Sequence, residues 1–274
     1  MSAPAGDDPL AKLQAFWNAR YAIDDYVYGT EPNDFLVQSL PAIFPKGGSD
    51  PPEAASGRLP PGGDAGLGQP GARVGSDPPE AAFGRLPPGG DAGLGQPGAR
   101  VLCIADGEGR NSVWLARQGC RVTAVDVAAE GLAKARKLAE RSGVVIETRV
   151  ADVASFDFGT DRWDAIVSIY LHLPPKVRRA AHRRALAGLK PGGVFVYEAY
   201  GPEQVRYKTG GPGEPELLHS RDDIVSDFEG CAIEHAFEGV RAVNEGRQHR
   251  GDGYVVQVIA RKRDLGSGSL GSEP

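Results

Sequence analysis

The chain is poor in the residues that define several protein classes. Its 274 residues hold only three cysteines, Cys103, Cys120 and Cys231. An odd, scattered set without metal-ligand spacing makes neither a disulfide scaffold nor a zinc site, so no metal is expected. Three small buried thiols in a reducing compartment fit that pattern. No apolar stretch approaches the roughly 20 residues that a membrane helix needs. Positive charge is not in excess either, since 31 Lys and Arg stand against 36 Asp and Glu, a net charge of −5. Nucleic-acid enzymes usually present a basic face, so the balance points away from DNA or RNA. The start, Met1 to Asp8, has no basic end and no apolar run, so no signal peptide is expected. These absences together lead to the expectation of a soluble, cytoplasmic protein; a monomer or weak homodimer is expected.

Glycine and proline, in contrast, are plentiful, with 38 and 22 copies. Many lie in a tandem repeat. Gly48 to Val74 recurs as Gly75 to Val101 with one change, Ser56 becoming Phe83. Such a segment has too little apolar surface to offset its ordering entropy. The expected organisation is a helical lid or cap region over 1–46, a flexible insertion over 47–99, a core over 100–263 and a disordered tail over 264–274.

Before the insertion, Leu10, Leu13, Phe16 and Trp17 recur at helical spacing over 9–20. Phe16 and Trp17 read as core. Asn33 or Asp34 caps a second helix reaching residue 43. After it, strands and helices alternate. Strands are expected at 101–105, 121–125, 144–149, 163–168, 194–197, 232–237 and 254–260. Helices are expected over 110–118, over 128–141, from Pro174–Pro175 to about Leu189, and from the Ser220 capping box to Gly230. This alternation implies an α/β fold, a Rossmann-like, mostly parallel seven-stranded sheet with helices on both faces. The last two strands lack a helix between them, which makes the final strand antiparallel. A loop near Asn244 to Gly253 would leave His249 exposed.

The strongest chemical signal is the run from Val101 to Ser112. A strand ends in a Gly-rich turn, and a helix starts at once. Gly107 and Gly109 allow tight backbone angles and close ligand approach. The helix tip offers unpaired N–H groups to an anion. Asp126 ends the next strand, where an acid can accept both hydroxyls of a ribose or cap a helix. The turn carries two carboxylates, Asp106 and Glu108, which would repel a pyrophosphate. They suit the sulfonium and ammonium of S-adenosylmethionine (SAM), while the helix tip and Arg110 suit its carboxylate. A NAD-binding oxidoreductase and a non-catalytic SAM-binding module are the alternative readings.

The run Ala105 to Ala116 resembles the nucleotide loop of class I SAM-dependent methyltransferases, in particular the bacterial tellurite-resistance and thiopurine methyltransferase-like branch. Leu189 to Gly193 and Tyr26 to Phe35 resemble further marks of that branch. The resemblance implies that Ala105 to Gly109 wrap the methionine part of SAM, with Arg110 and Asn111 beside them. It implies that Asp126 holds the ribose, Val127 lines the adenine, and Asp152 and Val153 bind the adenine edge. Ser168 to Tyr170 would floor the site beside the sulfonium. Many relatives carry an acid where Cys103 stands and a glycine where Ala105 stands.

Tyr28 either reaches over the cofactor or packs half-buried. Methyl transfer is an in-line displacement that needs positioning and dryness more than a catalytic triad. His172, after the fourth strand, is the candidate base, and Tyr170 its catalytic neighbour. Tyr200, Arg206 and Tyr207 are the candidate acceptor-binding residues.

Overall fold

Strand β1 (Arg100–Ile104) is apolar on both faces, and it lies inside the sheet for that reason. The computed structural model describes residues 8–44, 98–246 and 249–264, which all belong to one compact unit. The other strands are β2 (Arg121–Asp126), β3 (Glu147–Val150), β4 (Trp163–Ile169), β5 (Leu189–Tyr200), β6 (Ala232–Glu245) and β7 (His249–Arg261). They form one seven-stranded sheet in the order β3-β2-β1-β4-β5-β7-β6. The first five pair in parallel, and β7 is antiparallel to both β5 and β6. The expected sheet and its reversed final strand are both present.

The helices are α1 (Pro9–Tyr21), α2 (Asp34–Ile43), α3 (Arg110–Arg117), α4 (Ala129–Arg141), α5 (Pro175–Gly188) and α6 (Arg221–Asp227). Side chains alternate across β1. Val101 and Cys103 join Phe35, Leu36, Val113, Leu115 and Leu132 from α2, α3 and α4. Leu102 and Ile104 join Ala181 and Ala185 from α5, Ile224 from α6 and Phe228 just after it. The sheet is therefore covered on both faces. The Ser220 capping box forms as its spacing predicts, but α6 stops at Asp227, short of Gly230.

The β6–β7 hairpin differs from expectation. Its ladder runs to the pair Glu245–His249, through most of the segment read as a loop. Gly251 and Gly253 suggested a break, yet Gly251 enters the strand at φ +116° and pairs with Val243. Branched residues in both strands, Val240 and Val243 in β6 and Val255 and Val256 in β7, carry the ladder on. The segments expected as an insertion over 47–99 and a tail over 264–274 lie outside the described residues, apart from Gly98, Ala99 and Asp264. No helix among the described residues is long and apolar enough to cross a membrane.

Candidate functional site

A cavity of about 600 Å³ opens where β1, β2, β4 and β5 end. Ligands of open α/β sheets bind at this edge, where helices lead away to opposite faces. Ala105, Gly107 and Gly109 all have left-handed backbone angles, φ +52°, +59° and +90°. The chain thereby coils back on itself between β1 and α3. A Cβ on Gly107 would lie 2.7 Å from the Tyr21 hydroxyl, so a larger residue at this left-handed position would push the Tyr21 ring aside. Asp126 closes the ring. Its carboxylate accepts from the Gly107 N–H at 2.9 Å and from the Ala128 N–H at 2.8 Å. Burial pushes its pKa up, against these hydrogen bonds. Gly107 and Asp126 thus share one cavity, with Val127, Asp152 and Val153 along the same wall. Asp152 also makes a turn, accepting from Ala154 at 2.8 Å.

The two loop acids do other work than expected. Asp106 lines the cavity but accepts from both the Ser112 hydroxyl and its N–H, capping the start of α3. Burial raises its pKa to about 6. Glu108 pairs with Lys134 at 2.6 Å and accepts from the Val27 N–H at 2.8 Å and the Tyr28 N–H at 3.3 Å. The Lys134 ammonium also donates to the carbonyls of Ile23 and Asp25. Glu108 therefore fastens the N-terminal segment to the loop, and its charge is already met. Two other expected ligand contacts fail. Gly109 faces α4, where a Cβ would collide with Ala135, and it does not line the cavity. Ser168 is enclosed within the sheet, between Ile104 and Tyr197, rather than on the floor.

Arg110 and Asn111, at the tip of α3, do line the cavity. Arg110 is buried against Glu245 at 2.6 Å, and its Nη1 has no hydrogen-bond partner among the described residues. Asn111 accepts from the Asn33 N–H at 2.9 Å. Below them runs a buried network that the sequence did not announce. Arg241 bonds Glu198 and Glu245, Asn33 donates to both acids at 2.7 and 2.9 Å, and Gln257 donates to Glu198. Two arginines and two glutamates make it neutral, as a buried polar cluster must be. Glu198 inside the apolar run of β5 was the one available signal.

The other end of the cavity is aromatic. Tyr28, Tyr170, His172, Tyr200 and His249 all line it. Tyr170 has φ +57°, rare for a bulky residue, and the network holds it there through Arg241, which donates to its hydroxyl at 3.1 Å. His249 is buried, contrary to the exposed loop position expected, because the long hairpin carries it inward. Phe16 and Trp17 also line the cavity instead of filling the core. Their stripe is real, but spacing alone does not say what a stripe faces. Tyr21 and Arg20 join the same wall. Arg206 and Tyr207 do not. Gln204 ties their turn to Tyr254 and Thr209, leaving Arg206 exposed beside Glu203 at 2.6 Å.

Residues 101–193 match the family described as a methyltransferase domain. A curated relative, a ubiquinone biosynthesis O-methyltransferase from Paramagnetospirillum magneticum, is 36% identical over 98 residues. That match takes in 35% of this chain and spans 38% of the relative's length. Among solved structures, one described by the conversion of a disulfide bond into a thioacetal group during echinomycin biosynthesis superposes with a TM-score of 0.53. Identity there is 22%, over 64% of this chain and 79% of the other. TehB from Haemophilus influenzae gives a TM-score of 0.51 at 18% identity, over 61% and 58%. Residues 101–193 thus match a methyltransferase domain, and the seven-stranded sheet shares the fold of these two solved structures.

Proposed function

We propose that this protein transfers a methyl group from SAM to a small-molecule acceptor in the cytoplasm. The shared cavity of Gly107 and Asp126, joined by a 2.9 Å hydrogen bond, carries this reading. The residues present fit SAM. The Asp126 carboxylate faces the cavity while holding two backbone N–H groups, which fixes it for a ribose. Arg110 Nη1, buried and without a partner among the described residues, suits a carboxylate. Ala105 to Gly107 would hold the methionine part, Val127 would line the adenine, and Asp152 and Val153 would bind its edge. When bound, SAM supplies a methyl group activated by a positive sulfur. The chain's own task is to orient the acceptor and exclude water. Tyr28, Tyr170, His172 and Tyr200 enclose the acceptor end. The curated relative is named for methylation at oxygen, and oxygen is the favoured acceptor atom here.

Calorimetry with SAM and with NADH tests the reading. SAM is expected to bind, and Asp126→Ala to weaken it by about 1–3 kcal/mol, the worth of a charge-assisted hydrogen bond. An unchanged affinity would sink the ribose assignment, and tight NADH binding would favour the oxidoreductase alternative. Labelled methyl transfer from SAM to a metabolite extract separates catalysis from mere binding.

A further inference from the structure

The aromatic end of the cavity is one continuous wall. The His249 ring lies 4.8 Å from Tyr28, 4.5 Å from Tyr170 and 5.4 Å from Tyr200, centroid to centroid. Two phenol groups are turned away from it. Tyr200 donates its hydroxyl to the Thr209 carbonyl at 2.6 Å, and Tyr170 meets Arg241. The cavity therefore meets ring surfaces, against which a flat apolar ring packs well.

His172 stands beside this wall, its ring parallel to Tyr200 within 7° at 6.1 Å. Its Nδ1 lies 3.2 Å from the Leu217 carbonyl oxygen. A carbonyl only accepts, so Nδ1 carries the hydrogen and Nε2 is left with a bare lone pair. That Nε2 is buried and has no partner among the described residues. Burial holds the imidazole pKa down to about 4, with the Leu217 carbonyl opposing the shift, so the ring is neutral at pH 7. The titratable groups around it are Tyr200, His219 and His249, all uncharged near neutrality.

The charges at this end select against a cation. Glu245 is held between Arg110 and Arg241, and Glu108 is held by Lys134. Arg20 places its guanidinium over the Tyr28 ring at 5.9 Å. An ammonium acceptor would face the Arg20 guanidinium, while the Glu214 carboxylate lines the cavity only from its exposed rim. A thiol would have little need of His172, since it ionises near pH 8.5, whereas a phenol ionises at about 10 and needs a base at neutral pH.

We propose that the acceptor is an aromatic hydroxyl compound packed against the Tyr28–Tyr170–Tyr200–His249 wall, and that His172 removes its hydroxyl proton through Nε2. This rests on the methyl-transfer reading above. The acceptor oxygen loses its proton to His172 and gains the methyl carbon. The carbon–sulfur bond breaks with its electron pair left on sulfur, and solvent later takes the proton from the imidazole.

The test uses the full chain with S-adenosylhomocysteine present, titrated calorimetrically with phenol, 4-nitrophenol, cyclohexanol and cyclohexylamine. Both phenols are expected to bind at least tenfold more tightly than the two saturated compounds. Equal binding of cyclohexanol or cyclohexylamine would overturn the acceptor class. Labelled methyl transfer is then compared between the wild type and His172→Gln, with S-adenosylhomocysteine affinity as the check that the variant is folded and His172→Asn as a second variant. Transfer to phenol is expected to fall about 100-fold, the scale of a lost general base. Transfer to 4-nitrophenol at pH 8, where it is already ionised, is expected to fall by only a few fold. Equal losses on both phenols would overturn the proton-removal role. If the wild type fails to bind SAM, the methyl-transfer reading falls and takes this one with it.

Discussion

The two ends of the cavity are built in opposite ways. The end proposed for the cofactor is mostly backbone: a turn in which Ala105, Gly107 and Gly109 are left-handed, with Asp126 fixed to it from the adjacent strand. Its parts lie close together in the sequence. The end proposed for the acceptor is mostly side chains, contributed by the N-terminal segment, β4, β5 and β7, and it stands on a buried ion network. A contiguous turn is rigid by its own geometry. A wall assembled from distant strands is rigid only while its polar support holds.

Breaking that support should have the largest effect. Arg241→Ala removes the cation shared by Glu198 and Glu245 and leaves two buried acids undercompensated. Loss of one partner in such a cluster costs about 3–5 kcal/mol. Urea unfolding is the measurement, and a loss under 1 kcal/mol would show that the network is dispensable.

Acid should separate the ends next. His172 and His249 are held down to about 4 and about 3, chiefly by burial. The unfolded chain protonates them near 6.5 while the fold does not, so their contribution is lost as pH falls below 6.5. Asp106 runs the other way. Its folded pKa, raised to about 6, lets the fold take up a proton that the unfolded chain binds only near 4. Each group shifts stability by roughly 1.4 kcal/mol per pH unit. His182, His219 and His235 are shifted down as well, against the two raised carboxyls Asp106 and Asp126, so the imidazoles outweigh the carboxyls and stability is expected to fall from pH 6.5 toward 4. Melting temperature against pH checks the sign, and His249→Phe should flatten the slope. A chain that grows more stable toward pH 5 would refute the assignment.

The smallest effect belongs to the end proposed for the cofactor. Ala105 holds φ +52°, a conformation that costs an L-residue about 1 kcal/mol. Ala105→Gly should stabilise the fold by up to about 1 kcal/mol, reduced by the added freedom of the unfolded chain. Calorimetric melting of the two proteins decides it, and clear destabilisation would mean that the methyl group makes contacts worth more than its strain.

This asymmetry explains what could be read beforehand. The run from Val101 to Ser112 announces its turn, because each step depends on a near neighbour. The alternation of β1 to β5 was visible for the same reason. The pairing of His249 with Glu245 was not, because three glycines, Gly246, Gly251 and Gly253, read locally as a loop. Only the long ladder against β6 overrides them. Phe16 and Trp17 announced a helix stripe but not the cavity it faces. The jobs of Asp106 and Glu108 depend on Ser112 and Lys134, one of them a helix away. The roles of these two acids followed from charge alone, and charge does not reveal a partner.

The stretch between α1 and α2 is pinned twice. Glu108 and Lys134 grip it near Val27, and Asn33 grips it at the other end through Asn111, Glu198 and Glu245. Chain moored at two points behaves as a bridge rather than a door. Swinging it aside would strip partners from two sets of buried charges at once.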